Sequence, residues 1–219
     1  MEPAEVVERV AGRSGELALL RRSGHAEIVA NGVFLMDTRG GASERLLVAE
    51  AVRRMPPPGR LLLGGLGVGF SLAEALTHPE VTAVEVVELE PAVVRWNRGP
   101  LAGHHGHALD DPRVRCRVTD LLEWLPDGPE GGFDAMCLDI DNGPDWLVSP
   151  SNAGLYTDRG IAATVRLLAP GGVLAVWSAH PVPAFRTRMG AALGDVEEHA
   201  VAVPRGVPDV LYLGTTPPG

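Results

Sequence analysis

The sequence predicts an α/β fold with a doubly wound, mostly parallel seven-stranded sheet and a short N-terminal β-hairpin and helix extension. Three observations predict it. Between residues 60 and 177, short apolar runs alternate with helical segments, the pattern of strands joined by crossover helices. A glycine-rich loop, Gly64-Gly65-Leu66-Gly67-Val68-Gly69, follows the first of these strands and opens a helix. Glu88 ends the next strand 21 residues after Gly67, about the spacing of an acid that grips ribose hydroxyls. Together they describe a Rossmann-like nucleotide-binding domain.

The 219 residues are 45% hydrophobic and 21% charged, enough apolar material for one well-buried core. Residues 16–20, 26–30 and 33–36 read as strands, and Asn31-Gly32 is a tight-hairpin signal between the last two. Residues 42–54 carry helical spacing through Leu46, Leu47, Ala49, Ala51 and Val52, until Pro56-Pro57-Pro58-Gly59 stops it. The expected division is therefore an extension over residues 1–55 and a catalytic domain over 56–219. In the second zone, strands are expected at 61–63, 81–89, 114–118, 133–140 and 173–177. Helices are expected at 71–77, 92–98 with Pro91 at the first position, 121–125 and 155–168. Pro170-Gly171-Gly172 stops the last of these. A helix at 183–193 and strands at 198–203 and 209–213, turning through Pro204-Arg205-Gly206, close the sheet with an antiparallel hairpin.

Composition excludes several functions. All 19 basic residues are Arg, so no lysine is present for a Schiff base, a pyridoxal anchor or a P-loop. There is no Gln either. A net charge of −9 with no basic run argues against nucleic-acid binding; it serves solubility or favours cationic substrates. Cys116 and Cys137 form no CxxC pair, so free thiols in a reducing cytoplasm are expected. The first residues lack the apolar region of a signal peptide, and no apolar run approaches about 18 residues, so no membrane span is expected.

The glycine loop departs from the dinucleotide fingerprint, because Phe70 stands where Gly or Ala is needed, which argues against NAD. Glu85 and Glu90 compete with Glu88 for the ribose. Asp120 ends the third strand, where it either accepts from an adenine amino group or caps the helix that follows. Asp139-Ile140-Asp141-Asn142-Gly143-Pro144-Asp145-Trp146 ends the fourth strand. Its carboxylates either hold a cation, orient an amine and take its proton, or shape a polar turn. They lack the spacing of a calcium loop and have no paired His for zinc. His104-His105-Gly106-His107 lacks a helical i, i+4 pair, so no metal is expected there. Ser178 and His180 lie after the fifth strand, but no GxSxG elbow supports a hydrolase. Trp146 and Tyr156 either wall an acceptor site or pack in the core.

The order of these motifs resembles the spermidine-synthase-like polyamine aminopropyltransferases, a branch of the class I methyltransferase fold. The matched pattern covers about two thirds of the chain. It runs from Asn31-Gly32-Val33 through the glycine loop, Val87-Glu88-Leu89-Glu90-Pro91, Asp111-Pro112-Arg113-Val114 and Asp120. It continues through Phe133-Asp134-Ala135, Asp139 and Leu155-Tyr156 to Leu168-Ala169-Pro170-Gly171-Gly172. The resemblance implies that Gly65, Gly67, Gly69, Leu89 and Leu121 face a sulfonium nucleotide, S-adenosylmethionine or its decarboxylated form. It implies Glu88 on the ribose, Asp120 on the adenine and Asp139 as proton acceptor. Asp141 and Tyr156 would assist in catalysis, and Asn142 and Trp146 would contact the amine acceptor.

The implied activity is alkylation of a small, cationic amine by a cytoplasmic homodimer of polyamine biosynthesis. Alternatives are a small-molecule methyltransferase and a catalytically idle nucleotide-binding module. The sequence departs from the family on the acceptor side. Its two usual Gln residues are absent, Ala42-Ser43 replaces a Tyr-His pair before Glu44, and Asn142 stands where a second Asp is expected.

Overall fold

The computed structural model describes residues 4–203 and 206–219. Four N-terminal strands, β1 (Glu5–Gly12), β2 (Gly15–Arg22), β3 (His25–Ala30) and β4 (Val33–Asp37), form an antiparallel meander. Asn31 (φ +51°) and Gly32 (φ +78°) make the expected tight turn, since both central positions need a left-handed backbone. Strand β1 has no clear sequence signal: Val6 is exposed, and its apolar residues do not alternate.

Helix α1 (Ala42–Arg54) leads into the second sheet. That sheet contains β5 (Gly59–Gly64), β6 (Val81–Glu88), β7 (Val114–Val118), β8 (Phe133–Leu138), β9 (Leu168–Ser178), β10 (Val196–Val201) and β11 (Asp209–Thr215). Its order is β10-β11-β9-β8-β5-β6-β7, with β5 to β9 parallel and the last two strands antiparallel. Helices α2 (Phe70–Thr77), α3 (Pro91–Arg98), α4 (Leu121–Trp124), α5 (Asp158–Arg166) and α6 (Pro183–Leu193) supply the crossovers.

Alternation along the strands feeds two apolar layers. Leu61 and Leu63 of β5 join one with Val48, Leu72, Trp96, Leu17 and Ile28; Leu62 joins the other with Leu121, Ile161 and Phe185. The first layer continues into the N-terminal sheet, so that sheet shares the main core.

Among the boundaries that differ from the sequence expectation, three shape the surroundings of β8 and β9. The helix expected at 155–168 is a 3-10 segment (Pro150–Tyr156) followed by α5. Thr157 caps α5, its Oγ1 accepting from the Gly160 N–H at 3.1 Å. Strand β9 already begins at Leu168, running through the glycine pair with Gly171 at φ +73°. Strand β8 stops at Leu138, leaving Asp139 and Ile140 in the loop beyond it. The turn expected at Pro204-Arg205-Gly206 has its first two residues outside the described residues. Cys116 is half-buried and Cys137 buried, both as free thiols; burial pushes Cys137 up to about 12.

Candidate active site

Strand order reverses at β5, between β8 and β6, and a cleft opens beyond the carboxyl ends of these strands. The N-terminal sheet covers it with Leu17, Ile28 and Met36. The glycine loop forms its floor. Gly65 has φ +92°, and a Cβ there would strike the carbonyl oxygen of Asp139, so only glycine lets β5 and β8 meet this closely. Gly65 and Gly67 line the cleft. Gly69 does not: it starts α2 and packs against His105, whose Cδ2 would lie 2.7 Å from a Cβ at that position. The expectation that Gly69 faces the nucleotide is corrected by this placement behind the loop.

Glu88 lies at the tip of β6, 8% exposed and in the cleft wall. Its Oε2 accepts from the Leu66 N–H and its Oε1 from the Glu90 N–H, each at 2.8 Å. Burial raises its pKa, opposed by these amide bonds. The carboxylate is thus fixed between the glycine loop and the strand end, with remaining lone pairs for hydroxyl donors. Glu90 does different work. Its two oxygens accept from the Arg13 and Ser14 N–H groups at 2.9 and 2.8 Å, docking the β1–β2 turn. Of the two readings of Asp120, the capping one is present, with Oδ1 accepting from the Leu122 N–H at 2.8 Å. Asp120 also lines the cleft beside Leu89 and Leu121.

Asp139 stands at the switch point, one residue past β8, and lines the cleft. Burial, then the charges of Glu44 and Asp209, raise its pKa to about 8. Glu44 comes from the first turn of α1 and lines the cleft; Asp209 begins β11. Ser43 joins these two, its Oγ 2.7 Å from Asp209 Oδ2 and 3.0 Å from Glu44 Oε2. Trp177, at the end of β9, adds an aromatic wall.

Asp141 is buried and differently occupied. Oδ1 accepts from the Val148 N–H at 2.7 Å and Asn152 Nδ2 at 2.9 Å, and Oδ2 accepts from the Tyr156 hydroxyl at 3.0 Å. This network ties the loop after β8 to the 3-10 segment. Burial raises the pKa of both Asp141 and Tyr156. Asn142 lines the cleft, whereas Tyr156 is buried among Phe185 and the second core layer. Trp146 is 55% exposed and leans on His180, away from the cleft lining. Its expected acceptor contact is therefore corrected to a surface position.

Sequence reasoning passed over Glu44 and Asp209. Glu44 was visible only as a helix-start acid, and Asp209 lies 70 residues beyond Asp139. Only the sheet order brings them together.

A glycine loop, a carboxylate in the cleft wall and an aspartate just past a strand end thus meet at the switch point of a doubly wound, Rossmann-like sheet. Residues 51–184 match the spermine/spermidine synthase domain, and the chain belongs to that family. A polyamine aminopropyltransferase from Aeropyrum pernix is 28% identical over 217 residues, covering 91% of this chain and 65% of the relative. One from Mycobacterium tuberculosis is 37% identical over 123 residues, 55% of this chain. That match spans only 23% of the mycobacterial protein. The fold matches a crystal structure of spermidine synthase in complex with the transition state analogue AdoDATO. Its TM-score is 0.83 at 17% identity, over 96% of this chain and 73% of that one. Spermidine synthase from Thermotoga maritima gives 0.80 at 17% identity, over 96% and 72%.

Proposed function

We propose that this protein is an aminopropyltransferase that uses decarboxylated S-adenosylmethionine to alkylate a cationic amine. The observation that carries the reading is Asp139, a cleft carboxyl held near pKa 8 and backed by Glu44 and Asp209. An alkylammonium has a pKa of about 10 and must lose a proton before its nitrogen can attack. A carboxylate among other carboxylates attracts that ammonium and accepts its proton. The amine nitrogen then bonds to the aminopropyl carbon attached to sulfur, that carbon–sulfur bond breaks with its electron pair on sulfur, and methylthioadenosine leaves. The sulfonium supplies the leaving group, so the protein's main task is alignment, worth up to about 7–11 kcal/mol.

Glu88 fits the ribose hydroxyls, and Gly65 and Gly67 give the nucleotide close approach to backbone. Asp120, Leu89 and Leu121 line the adenine end. Asp141 and Tyr156 serve as positioning residues through their hydrogen bonds, and Asn142 borders the acceptor. Family membership and the similar relatives support this assignment. Calorimetric titration with S-adenosylmethionine and with its decarboxylated form tests it, because the two differ by one carboxylate. The acidic cleft predicts tighter binding of the decarboxylated form. Preference for S-adenosylmethionine would move the reading to methyl transfer.

A further inference from the structure

We propose that Asn97 is a positioning residue for the nucleotide, holding the glycine loop from behind in the shape that presents Gly67 to the cleft. The proposal rests on the nucleotide reading above. Asn97 lies in the last turn of α3 and is fully buried. Its Nδ2 donates to the Gly67 carbonyl at 2.8 Å and to the Val93 carbonyl at 2.9 Å, so both hydrogens go to main-chain oxygens. Val93 itself lines the cleft. Asn97 Oδ1 has no hydrogen-bond partner among the described residues. A buried amide oxygen left unpaired is a cost that folding alone does not repay. The unpaired Oδ1 fits a side chain oriented for what Nδ2 holds.

What Nδ2 holds is the least constrained part of the cleft. Four of the six loop residues from Gly64 to Gly69 are glycine, and such backbone loses the most freedom on ordering. Three of the loop's amides are bonded within the fold: the Gly65 N–H donates to Val87 O, the Leu66 N–H to Glu88, and the Gly69 N–H to Leu66 O. The Gly67 N–H has no partner among the described residues, and Gly67 lines the cleft at φ +53°. With its carbonyl taken by Asn97, Gly67 offers the cleft one fixed donor for an acceptor atom of the nucleotide.

His105 holds Asn97 in turn. The Ala108 N–H donates to His105 Nδ1 at 3.1 Å, which leaves the ring proton on Nε2 to donate to the Asn97 carbonyl at 3.1 Å. The His105 ring also packs under Gly69. This gives the His104-His105-Gly106-His107 run a role as backing for the loop.

The test uses the full chain, with methylthioadenosine as the calorimetric probe. Asn97→Leu fills the volume without a donor; Asn97→Ser keeps a hydroxyl and remains useful if the leucine variant does not fold. We expect the leucine variant to bind about tenfold more weakly and the serine variant about threefold. In turnover, KM for the nucleotide should rise by similar factors with kcat within twofold. Hydrogen exchange at the bonded loop amides of Leu66 and Gly69 should quicken in both variants. A merely structural residue would lower the melting temperature and leave affinity and the KM-to-kcat split unchanged; that result overturns the proposal. Absence of probe binding by the wild-type protein overturns the nucleotide reading itself, and the assignment of Asn97 with it.

Discussion

Asp139 carries two linked consequences at the residue scale. Its carboxyl titrates near pH 8 when folded, against the ordinary carboxylate value of 3.8 when unfolded. Between these values the folded state binds more protons, so this group's contribution to stability falls as pH rises from about 4 to about 8. Asp139→Asn removes that penalty. The variant should melt higher than wild type at pH 9 and nearly equal to it at pH 4, while turnover falls at least about 100-fold. Equal melting at both pH values would remove the charge cluster as the cause. In the wild type, kcat/KM should drop as pH falls below about 8, because the carboxylate form takes the proton. A bound ammonium favours that form, so the limb in kcat should lie at lower pH than the limb in kcat/KM. Glu88→Ala should weaken nucleotide binding by about tenfold or more, since it removes hydroxyl acceptors and frees the Leu66 N–H. Unchanged affinity in an isothermal titration would place the ribose elsewhere.

At the scale of elements, two contacts decide whether the cleft exists. The β5–α2 loop passes so close to Asp139 that Gly65→Ala adds both a collision with backbone and a left-handed alanine. We expect a loss of at least about 2 kcal/mol, roughly 4–8 °C in melting temperature for a chain of this size. A melting temperature within 1 °C of wild type would contradict this loop geometry. The second contact is the β1–β2 turn on Glu90, supported by Glu8, which accepts from Trp96 Nε1 at 2.6 Å and Arg95 at 2.7 Å. Glu90→Ala should raise hydrogen exchange at Arg13 and Ser14 and leave the β5 amides protected. It should also weaken nucleotide binding several-fold, because the sheet that roofs the cleft is held less firmly. Loss of protection throughout β5 would mean that the two sheets do not separate in this way.

The same elements show what the sequence could reveal. Strands β5, β6 and β8 and their helices were readable because each is a largely apolar run bounded by glycine, proline or an acid, and β7 because its Val and Cys alternate with Arg. The hairpin at Asn31-Gly32 was readable because so few residue pairs accept two left-handed positions. Strand β1 was not, since half its side chains face solvent and its partner lies in the next segment. The start of α5 was displaced because Leu155 and Tyr156, buried residues of the preceding 3-10 segment, continue its apolar spacing on the near side of the Thr157 cap.

For the whole molecule, the site divides along the same line. Gly65, Gly67, Glu88, Asp120 and Asp139 were legible because each follows a strand of the repeating βα unit, where sheet topology puts ligands. Glu44 and Asp209 come from elements outside that unit, α1 and β11, and only the tertiary fold brings their charges to Asp139. Trp146 was misplaced for the opposite reason. Sequence adjacency to the aspartate cluster suggested the cleft, but the Asp141 network turns the loop outward and leaves the indole on His180.

Activity in this cleft requires a group transferred from sulfur and a proton removed from the amine. The most direct measurement is product analysis after incubation with decarboxylated S-adenosylmethionine and a panel of alkylamines, with wild type and Asp139→Asn in parallel. The account predicts methylthioadenosine and an aminopropylated amine in equal amounts from the wild type, and almost none from the variant. Methylthioadenosine at equal rates from both proteins, or no aminopropylated product from any amine, would contradict it.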